Sequence, residues 1–304
     1  MTKTIHVHVK GSTSNLGAGF DTLGLAVVLP LHVICHVAGD HSGVLSARGE
    51  GAAEIAAAPD NLIVRAFAFA CRKLQQPAPP LALEIDNHIP LRRGLGSSGA
   101  AIIAGLLAAE AYFGNPFGSS GILNLACELE GHPENAAASL LGGMTVTGVD
   151  QGGVRCARFA PPPGWVAACF VPVREVATEA ARRVLPTAVR RQEAVANLQS
   201  AALMVAAFAQ HRPDLLRLAA RDTLHQPYRK PLIPAFDEIT TAAQQAGAFC
   251  SFLSGSGSTI LALCEDGAAE RVVTAMAAAA QALEVAGRPL LLQLAADGAV
   301  VEIS

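Results

Sequence analysis

The segment PLRRGLGSSGAA (residues 90–101) decides how the rest of the chain is understood. Its glycines and serines form a loop that runs directly into an apolar stretch, residues 100–109, that is predicted to be a buried helix. Glycine lets a backbone turn tightly and approach a ligand closely. The first N–H groups of a helix lack intrahelical partners, and the aligned peptide dipoles add about half a positive charge at that end. The segment therefore predicts an anion site, best suited to a phosphate group.

Several kinds of phosphate loop are compatible with glycines at this spacing. Residues 94–99 match the pattern G-x-G-x-x-G, which in dinucleotide-binding folds follows a strand directly and precedes an acidic residue by about 20 positions. Here residues 90–93 interrupt the approach, and the segment 20 residues on is Gly114-Asn115-Pro116, so that fold is disfavoured. A Walker loop is excluded because none of the four lysines follows a glycine. Taken alone, the segment is also compatible with an ordinary tight turn before a buried helix.

Composition limits the class of protein. The chain has 304 residues, of which 51% are hydrophobic and 15% charged, and this predicts a compact protein with two domains. The sequence pattern changes near residue 155, so the domains are expected at residues 1–155 and 156–304. The net charge of −3 gives no reason to expect a nucleic acid or a membrane as partner. Seven scattered cysteines without a C-x-x-C pair indicate reduced thiols. With no signal-peptide pattern and no apolar run of about 18 residues, we expect a cytoplasmic protein.

Strands and helices alternate along both halves of the chain. In the first half, strands are predicted at 4–9, 25–37, 81–86 and 144–149, and helices at 61–74, 100–109, 121–130 and 133–140. In the second half, strands are predicted at 165–172, 249–253, 259–263 and 289–294, and helical segments at 178–220, 231–247 and 268–283. A glycine-rich loop is expected over residues 11–19. This interleaving predicts an α/β or α+β fold with two layers.

Three separated segments resemble the three signatures of the GHMP small-molecule kinase family. They are STSNLGAGFDTLGLA (residues 12–26), GLGSSGAA (94–101) and SGSGST (254–259). Their order, spacing and number agree with the family, and together they span nearly the whole chain. Further stretches are similar to the family members that phosphorylate L-homoserine: ELEGHPEN (128–135), QPYRKPLIP (226–234), and the pair Thr178 and Arg182.

The resemblance implies a fold and an activity. The fold is a two-domain α+β structure, with an N-terminal α/β nucleotide-binding domain and a C-terminal ferredoxin-like domain, commonly in a homodimer. The activity is ATP-dependent phosphorylation of the side-chain hydroxyl of L-homoserine, a step of threonine biosynthesis. Two alternatives stay open: a kinase acting on another small alcohol, mevalonate-like or a sugar, and a nucleotide sensor without catalytic activity. Three positions depart from the family's usual Ala, Asp and Pro: Gly99, Glu134 and Ser258.

The resemblance also assigns the nucleotide and metal ligands. Backbone N–H groups of the loop would cradle the ATP phosphates without a Walker lysine. The expected nucleotide contacts are Pro90, Arg93, Gly94, Leu95, Gly96, Ser97, Ser98, Gly99, Gly255 and Gly257. Mg²⁺ prefers hard oxygen ligands and keeps several waters, so one carboxylate with the phosphates suffices. The Ser98 hydroxyl and one glutamate are the expected ligands; Glu128 is preferred and Glu130 is the second choice, since helical spacing puts the two on different faces.

The substrate dictates a further set of residues. Homoserine carries an ammonium group, a carboxylate and a primary hydroxyl, so an anion and arginines are required. The resemblance assigns Asp21 to the ammonium group, and Arg182 and Arg229 to the carboxylate. The catalytic residues that line the reacting end are expected to be Asn15, Thr178 and His132.

The residue at position 135 bears on the mechanism. Many relatives use an aspartate as base at the position where this chain has Asn135. An amide cannot accept a proton, so the resemblance implies direct in-line transfer without a strong protein base. The substrate hydroxyl, oriented by Asn15 and its neighbours, would attack the γ-phosphate and lose its proton late.

Overall fold

The computed structural model describes residues 3–58 and 60–304. Its strands are, in chain order, β1 (Lys3–Ser14), β2 (Leu23–Val37), β3 (Gly43–Gly49), β4 (Leu81–Asn87), β5 (Met144–Asp150), β6 (Gly153–Phe159), β7 (Trp165–Pro172), β8 (Cys250–Leu253), β9 (Ile260–Glu265), β10 (Gly287–Gln293) and β11 (Val300–Ile303). Its helices are α1 (Ala52–Ala57), α2 (Leu62–Lys73), α3 (Ser97–Phe113), α4 (Gly118–Glu130), α5 (Glu134–Leu141), α6 (Thr178–Arg183), α7 (Arg191–Gln210), α8 (Leu216–Ala219), α9 (Gln226–Arg229), α10 (Phe236–Gln245) and α11 (Ala269–Ala282).

The larger sheet has seven strands and carries the first signature segment. Its order is β11-β1-β2-β4-β3, and β5 pairs with both β2 and β6. The pair β3 and β4 is parallel, whereas the other pairs are antiparallel. Along β1, Ile5, Val7 and Val9 are buried while His6 and His8 are half-buried, as expected of a sheet with one face on the core and one toward solvent.

The smaller sheet has the order β10-β7-β9-β8, and all its pairs are antiparallel. With helices between β7 and β8 and between β9 and β10, this is the β-α-β-β-α-β arrangement of ferredoxin-like folds. Every residue of β7 is buried, because its side chains alternate between two cores. The α+β fold with a ferredoxin-like second part is therefore confirmed.

Helix α3 forms the centre of the larger core. It is apolar on all sides, and its residues from Gly99 to Ala111 are mostly buried. Gly105 allows α2 to approach closely, since an added Cβ would lie 2.2 Å from the Ile63 carbonyl oxygen. The helix begins at Ser97, three residues before the predicted start, and thereby presents its N-terminus to the glycine loop.

Some elements differ from the sequence prediction. Strand β1 continues through Gly11–Ser14, which were expected in a loop, because these residues pair with β2 after a shift in register. Strands β3, β6 and β11 and helix α1 were not predicted. Strand β6 extends to Phe159 and so runs past the predicted domain boundary at residue 155. Strand β11 pairs with β1, so the last strand of the chain belongs to the larger sheet. The domain boundary at residue 155 stays a prediction. In the described part of the chain, no helix is long and apolar enough to cross a membrane.

Candidate active site

The three signature segments meet in space through backbone hydrogen bonds. The amide of Ser12 donates to the Leu95 carbonyl at 3.1 Å, which ties the first segment to the second. The amide of Gly255 donates to the Ser14 carbonyl at 3.2 Å, which ties the third segment to the first. The amide of Thr259 donates to the Arg93 carbonyl at 3.1 Å, which ties the third segment to the residue directly before the second. Segments about 240 residues apart in the chain thus build one wall of the site.

A cavity of about 340 Å³ lies against this wall. Most of the residues that the sequence predicted for the site line it: Asn15, Asp21, Arg93, Gly94, Gly96, Ser97, Ser98, Glu130, His132, Thr178, Arg182, Arg229 and Gly255. Five predicted residues lie outside the lining: Pro90, Leu95, Gly99, Gly257 and Glu128. The first four are buried beside it, where Leu95, for example, is fully buried and anchors the loop in the core.

The glycine loop has the properties that a phosphate site requires. Gly94 and Gly96 adopt left-handed conformations, with φ of 76° and 77°. A Cβ on Gly96 would lie 2.2 Å from Ser12 Oγ, so only glycine fits this contact. Gly96 caps α3 without a side-chain hydrogen bond, and it lines the cavity with Ser97 and Ser98. The N-terminus of a 17-residue helix therefore faces the cavity and favours an anion there.

Ser98 and Glu130 form a pair of oxygen ligands beside the helix start. The Ser98 hydroxyl donates to Glu130 Oε1. Glu130 Oε2 is buried and has no hydrogen-bond partner among residues 3–58 and 60–304. Burial raises the pKa of Glu130, and only part of this effect is offset by His132 and Ser98. A buried carboxylate oxygen without a donor beside a hydroxyl suits a hard cation such as Mg²⁺.

The preference for Glu128 over Glu130 is corrected. The Glu128 side chain is half-exposed, and its Oε2 lies 2.5 Å from Lys73 Nζ on α2, away from the cavity. Two residues along a helix correspond to about 200° of rotation, so the two glutamates face opposite sides of α4. Only Glu130 reaches the cavity.

Asp21 and Arg182 hold each other directly. Arg182 Nη1 donates to Asp21 Oδ2 and Nη2 donates to Oδ1, both at 2.9 Å. This bidentate pairing is the strongest geometry for the two side chains. The Arg182 guanidinium also lies 5.7 Å from the centre of the Phe20 ring. The two residues were expected to bind separate groups of the substrate, whereas in the structure they form one neutral pair.

Arg229 is held rigidly in the wall. It is 1% exposed, and its Nε donates to the Ala181 carbonyl and its Nη1 to the Gly255 carbonyl, both at 3.2 Å. The guanidinium carbon lies 5.1 Å from the Phe20 ring centre. Burial, assisted by the charge of Arg182, lowers the pKa of Arg229 to about 10. The Phe20 ring thus contacts both arginines.

His225 positions Arg229 and was not found by sequence reasoning. Its Nδ1 lies 3.2 Å from Arg229 Nη1 and its Nε2 lies 2.8 Å from the Gly17 carbonyl. Because a guanidinium only donates and a carbonyl only accepts, Nε2 carries the proton and Nδ1 accepts. Burial lowers the pKa of His225, which keeps it neutral. Its position directly before the segment QPYR was the available signal.

The amides of Asn15 and Asn135 are fixed by neighbours in the wall. Asn15 Nδ2 donates to the Gly255 carbonyl at 2.9 Å, and its Oδ1 accepts from the Asp21 amide at 3.0 Å. Asn135 Nδ2 donates to Ser14 Oγ at 2.9 Å, and its Oδ1 accepts from a serine hydroxyl at 3.0 Å. Both side chains line the cavity, and these bonds fix their orientation.

His132 and Glu134 are buried residues that line the cavity near these amides. His132 Nδ1 lies 3.0 Å from Glu134 Oε1. Burial lowers the pKa of His132, but the charges of Glu134 and Glu130 outweigh this effect, and the net direction is upward. At the opposite side, Thr178 Oγ1 lies 3.3 Å from Ser256 Oγ. Glu134 was noted in the sequence only as a departure from the family pattern, so its place in the lining is new.

The cavity lining also includes apolar residues that were not predicted from the sequence, together with the charged Glu54, Asp60 and Arg92. The apolar residues are Leu31, Ile55, Leu62, Ile63, Ile85 and Leu91. Asn61 and Asn87 stand among them, and Asn61 Oδ1 caps α2 by accepting from the Ile63 amide at 2.9 Å. A pocket with apolar walls and a few amides suits a flat organic ring. Its residues come from four separate elements, so no contiguous motif marks it.

Comparisons with known proteins agree with these observations. Residues 61–143 match the family described as GHMP kinases N terminal domain, and residues 204–282 match GHMP kinases C terminal. A homoserine kinase of Synechococcus sp. is 41% identical over 299 residues, 98% of each chain. One of Synechocystis sp. is 42% identical over 272 residues, 89% of each chain. The crystal structure of homoserine kinase from Cytophaga hutchinsonii superposes with a TM-score of 0.86 at 27% identity and covers 98% of this chain and 97% of that one.

Proposed function

The chain belongs to the GHMP kinase family, and we propose that it transfers the γ-phosphoryl group of ATP to the side-chain hydroxyl of L-homoserine. The homoserine kinase of Synechococcus sp. matches this chain over nearly its full length, as does the structure of the homoserine kinase from Cytophaga hutchinsonii. The product would be O-phospho-L-homoserine, which serves threonine biosynthesis. A homodimer and a cytoplasmic location are part of the same proposal.

One observation carries the choice of an amino-acid acceptor. The cavity that contains the α3 N-terminus also contains both charges of the Asp21–Arg182 pair and a second buried guanidinium, that of Arg229. An α-amino acid has one ammonium group and one carboxylate, so it matches this set of charges. A simple sugar or alcohol carries no anionic group and would leave the buried Arg229 guanidinium without an ionic partner, which is costly.

The nucleotide would occupy the rest of the cavity. The backbone of Gly94 and Gly96 and the first turn of α3 would bind the phosphates, and the apolar pocket beside Asn61 would bind the base. The unpartnered oxygen of Glu130 and the hydroxyl of Ser98 fit a magnesium site. Bound there, Mg²⁺ would neutralise charge that develops on the transferred phosphoryl group.

The protein's own part in the transfer is orientation. The fixed amide of Asn15 and the hydroxyl of Thr178 would hold the substrate hydroxyl, and His132 lines the same cavity. Asn135 cannot accept a proton, so we propose that the hydroxyl attacks without a strong protein base. Positioning of the reacting groups alone supplies about 7–11 kcal/mol in well-oriented systems.

The activity is tested by ADP release with a panel of acceptors: L-homoserine, mevalonate and sugars. We expect turnover with L-homoserine, and product identification by phosphorus NMR. Turnover with another alcohol alone would support a different kinase, and binding of ATP without turnover would support a sensor. Asn135→Ala tests the mechanism: a loss of turnover above about a thousandfold with unchanged homoserine binding would contradict transfer without a base.

A further inference from the structure

We propose that Glu134 is a substrate-binding residue that, together with Asp21, seats the ammonium group of the amino-acid substrate. The inference rests on the proposed function and names the group that one further residue of the same cavity recognises. Glu134 opens α5, next to Asn135.

The burial and the hydrogen bonds of Glu134 point to a missing cationic partner. Its side chain is 2% exposed yet lines the cavity. Its Oε1 accepts from Asn135 Nδ2 at 3.1 Å and lies 3.0 Å from His132 Nδ1. Its Oε2 is buried and finds no hydrogen-bond donor in the part of the chain that the structure describes. A buried carboxylate oxygen without a donor is costly, so a group that enters the cavity with N–H donors is favoured at this atom.

The distances allow one ammonium group to reach both carboxylates. One ligand atom each of Asp21, His132 and Glu134 lie within 4.8 Å of one another. A charge-assisted N–H···O bond is about 2.7–2.9 Å long, so one nitrogen bridges two oxygens up to about 5.6 Å apart. One oxygen of Asp21 and one oxygen of Glu134 meet this condition.

The charges around Asp21 and Glu134 favour an amino acid over a divalent metal ion at this position. Arg182 donates to both oxygens of Asp21 at 2.9 Å, so a divalent cation bound to Asp21 would face this guanidinium at close range. A zwitterion avoids the repulsion, because its carboxylate goes to the arginines while its ammonium goes to the acids. The acids Asp21 and Glu134 then match the ammonium group of one substrate, and the arginines Arg182 and Arg229 match its carboxylate.

The test compares L-homoserine with two truncated ligands. One ligand, 4-hydroxybutanoate, lacks the ammonium group, and the other, 3-aminopropan-1-ol, lacks the carboxylate. Calorimetric titration of Glu134→Gln should show about 10- to 100-fold weaker binding of L-homoserine and 3-aminopropan-1-ol than wild type. Binding of 4-hydroxybutanoate should change less than about threefold, because the lost charge faces a group that this ligand does not have. Glu128→Gln, which alters an exposed glutamate outside the cavity, should bind all three as wild type does.

Several outcomes would overturn the proposal. Equal weakening of all three ligands would assign Glu134 a structural role, and unchanged affinity with reduced kcat would assign it to proton transfer. An effect that vanishes when Mg²⁺ is omitted would assign it to a metal. If Glu134→Gln does not fold, Glu134→Asp decides, since a shorter carboxylate should weaken only the two ligands that carry an ammonium group. Wild-type protein that binds L-homoserine but releases no ADP would refute the proposed function and leave the binding comparison valid.

Discussion

Arg182 donates to both carboxylate oxygens of Asp21 at 2.9 Å, so the two side chains that a zwitterionic substrate needs already form one neutral unit. The planar fork of arginine makes this possible, and lysine, a single point charge, does not reproduce it. The substrate carboxylate then finds Arg182 already oriented by Asp21, with Phe20 packed against the guanidinium.

Arg182→Lys should therefore raise KM for L-homoserine about 10- to 100-fold with a much smaller effect on kcat, because a bidentate charge-assisted contact is lost. Steady-state kinetics at saturating ATP measure both values. Arg183→Lys is the matched control: Arg183 is the next residue on α6, is exposed, and pairs only loosely with Glu179 at 3.6 Å. Equal effects in the two variants would contradict the assigned role of Arg182.

The metal site makes a second prediction. Glu130→Gln should reduce kcat/KM at least about a hundredfold and raise the Mg²⁺ concentration needed for half-maximal rate, since an amide nitrogen replaces one carboxylate oxygen and the negative charge is lost. Glu128→Gln should behave as wild type, because it breaks only a surface pair with Lys73. A magnesium titration of both variants decides between them, and the reverse order of effects would restore Glu128 as the ligand.

Contiguous motifs explain what the sequence could predict. The loop at Gly94–Gly99 and the segments around Asn15 and Gly255 each carry their signal in neighbouring residues, so their meeting in one cavity could be expected. The ferredoxin-like order of the smaller sheet followed from the same resemblance. Long strands such as β7 and long helices such as α3 were found because their hydrophobic patterns are strong.

The remaining features depend on contacts between distant parts of the chain. Whether Glu128 or Glu130 faces the cavity depends on how α4 packs against α2, where Lys73 holds the former. The extension of β1 through Ser14 depends on pairing with β2. His225 reaches Arg229 and Gly17 only after α9 has packed on the first signature segment. Of these features only His225 has a local signal in the sequence, its position directly before the segment QPYR.

The third prediction concerns pH and follows from the buried state of His225. Burial lowers its pKa in the folded protein below the ordinary histidine value of about 6.5. As pH falls below about 6.5, the unfolded chain binds a proton that the folded protein does not, so the free energy of unfolding decreases by up to about 1.4 kcal/mol per pH unit for this group. This stabilisation is complete above about pH 6.5 and is lost as pH falls toward the folded pKa.

His225→Gln should consequently show a smaller decrease in the free energy of unfolding than wild type between about pH 7.5 and 5.5. Urea unfolding at several pH values measures the slope, which is independent of the general cost of the substitution. His41→Gln, at an exposed histidine, should keep the wild-type slope. A variant at position 225 with the wild-type slope would mean that the histidine is not the titrating group.

The fourth prediction uses two glycines at opposite ends of α3. Both are left-handed, with φ of 77° at Gly96 and 80° at Gly114, but their surroundings differ. A Cβ at Gly96 would lie 2.2 Å from Ser12 Oγ and 2.8 Å from its backbone nitrogen, whereas at Gly114 no atom lies within 4 Å. Each alanine meets the same unfavourable φ, at about 1–2 kcal/mol. Only the one at position 96 must also push the phosphate loop away from β1.

Gly96→Ala should therefore lower kcat/KM for ATP about a hundredfold, since a displacement of about 1 Å in a positioning element has an effect of that size. Gly114→Ala should lower the melting temperature by a few degrees and leave kcat/KM within about twofold of wild type. Thermal unfolding of both variants measures the cost of the backbone strain. Kinetics with varied ATP measure the effect of displacing the phosphate loop. Similar activity losses in the two variants would show that strain at the helix ends matters, and that the contact of Gly96 with Ser12 does not position the loop.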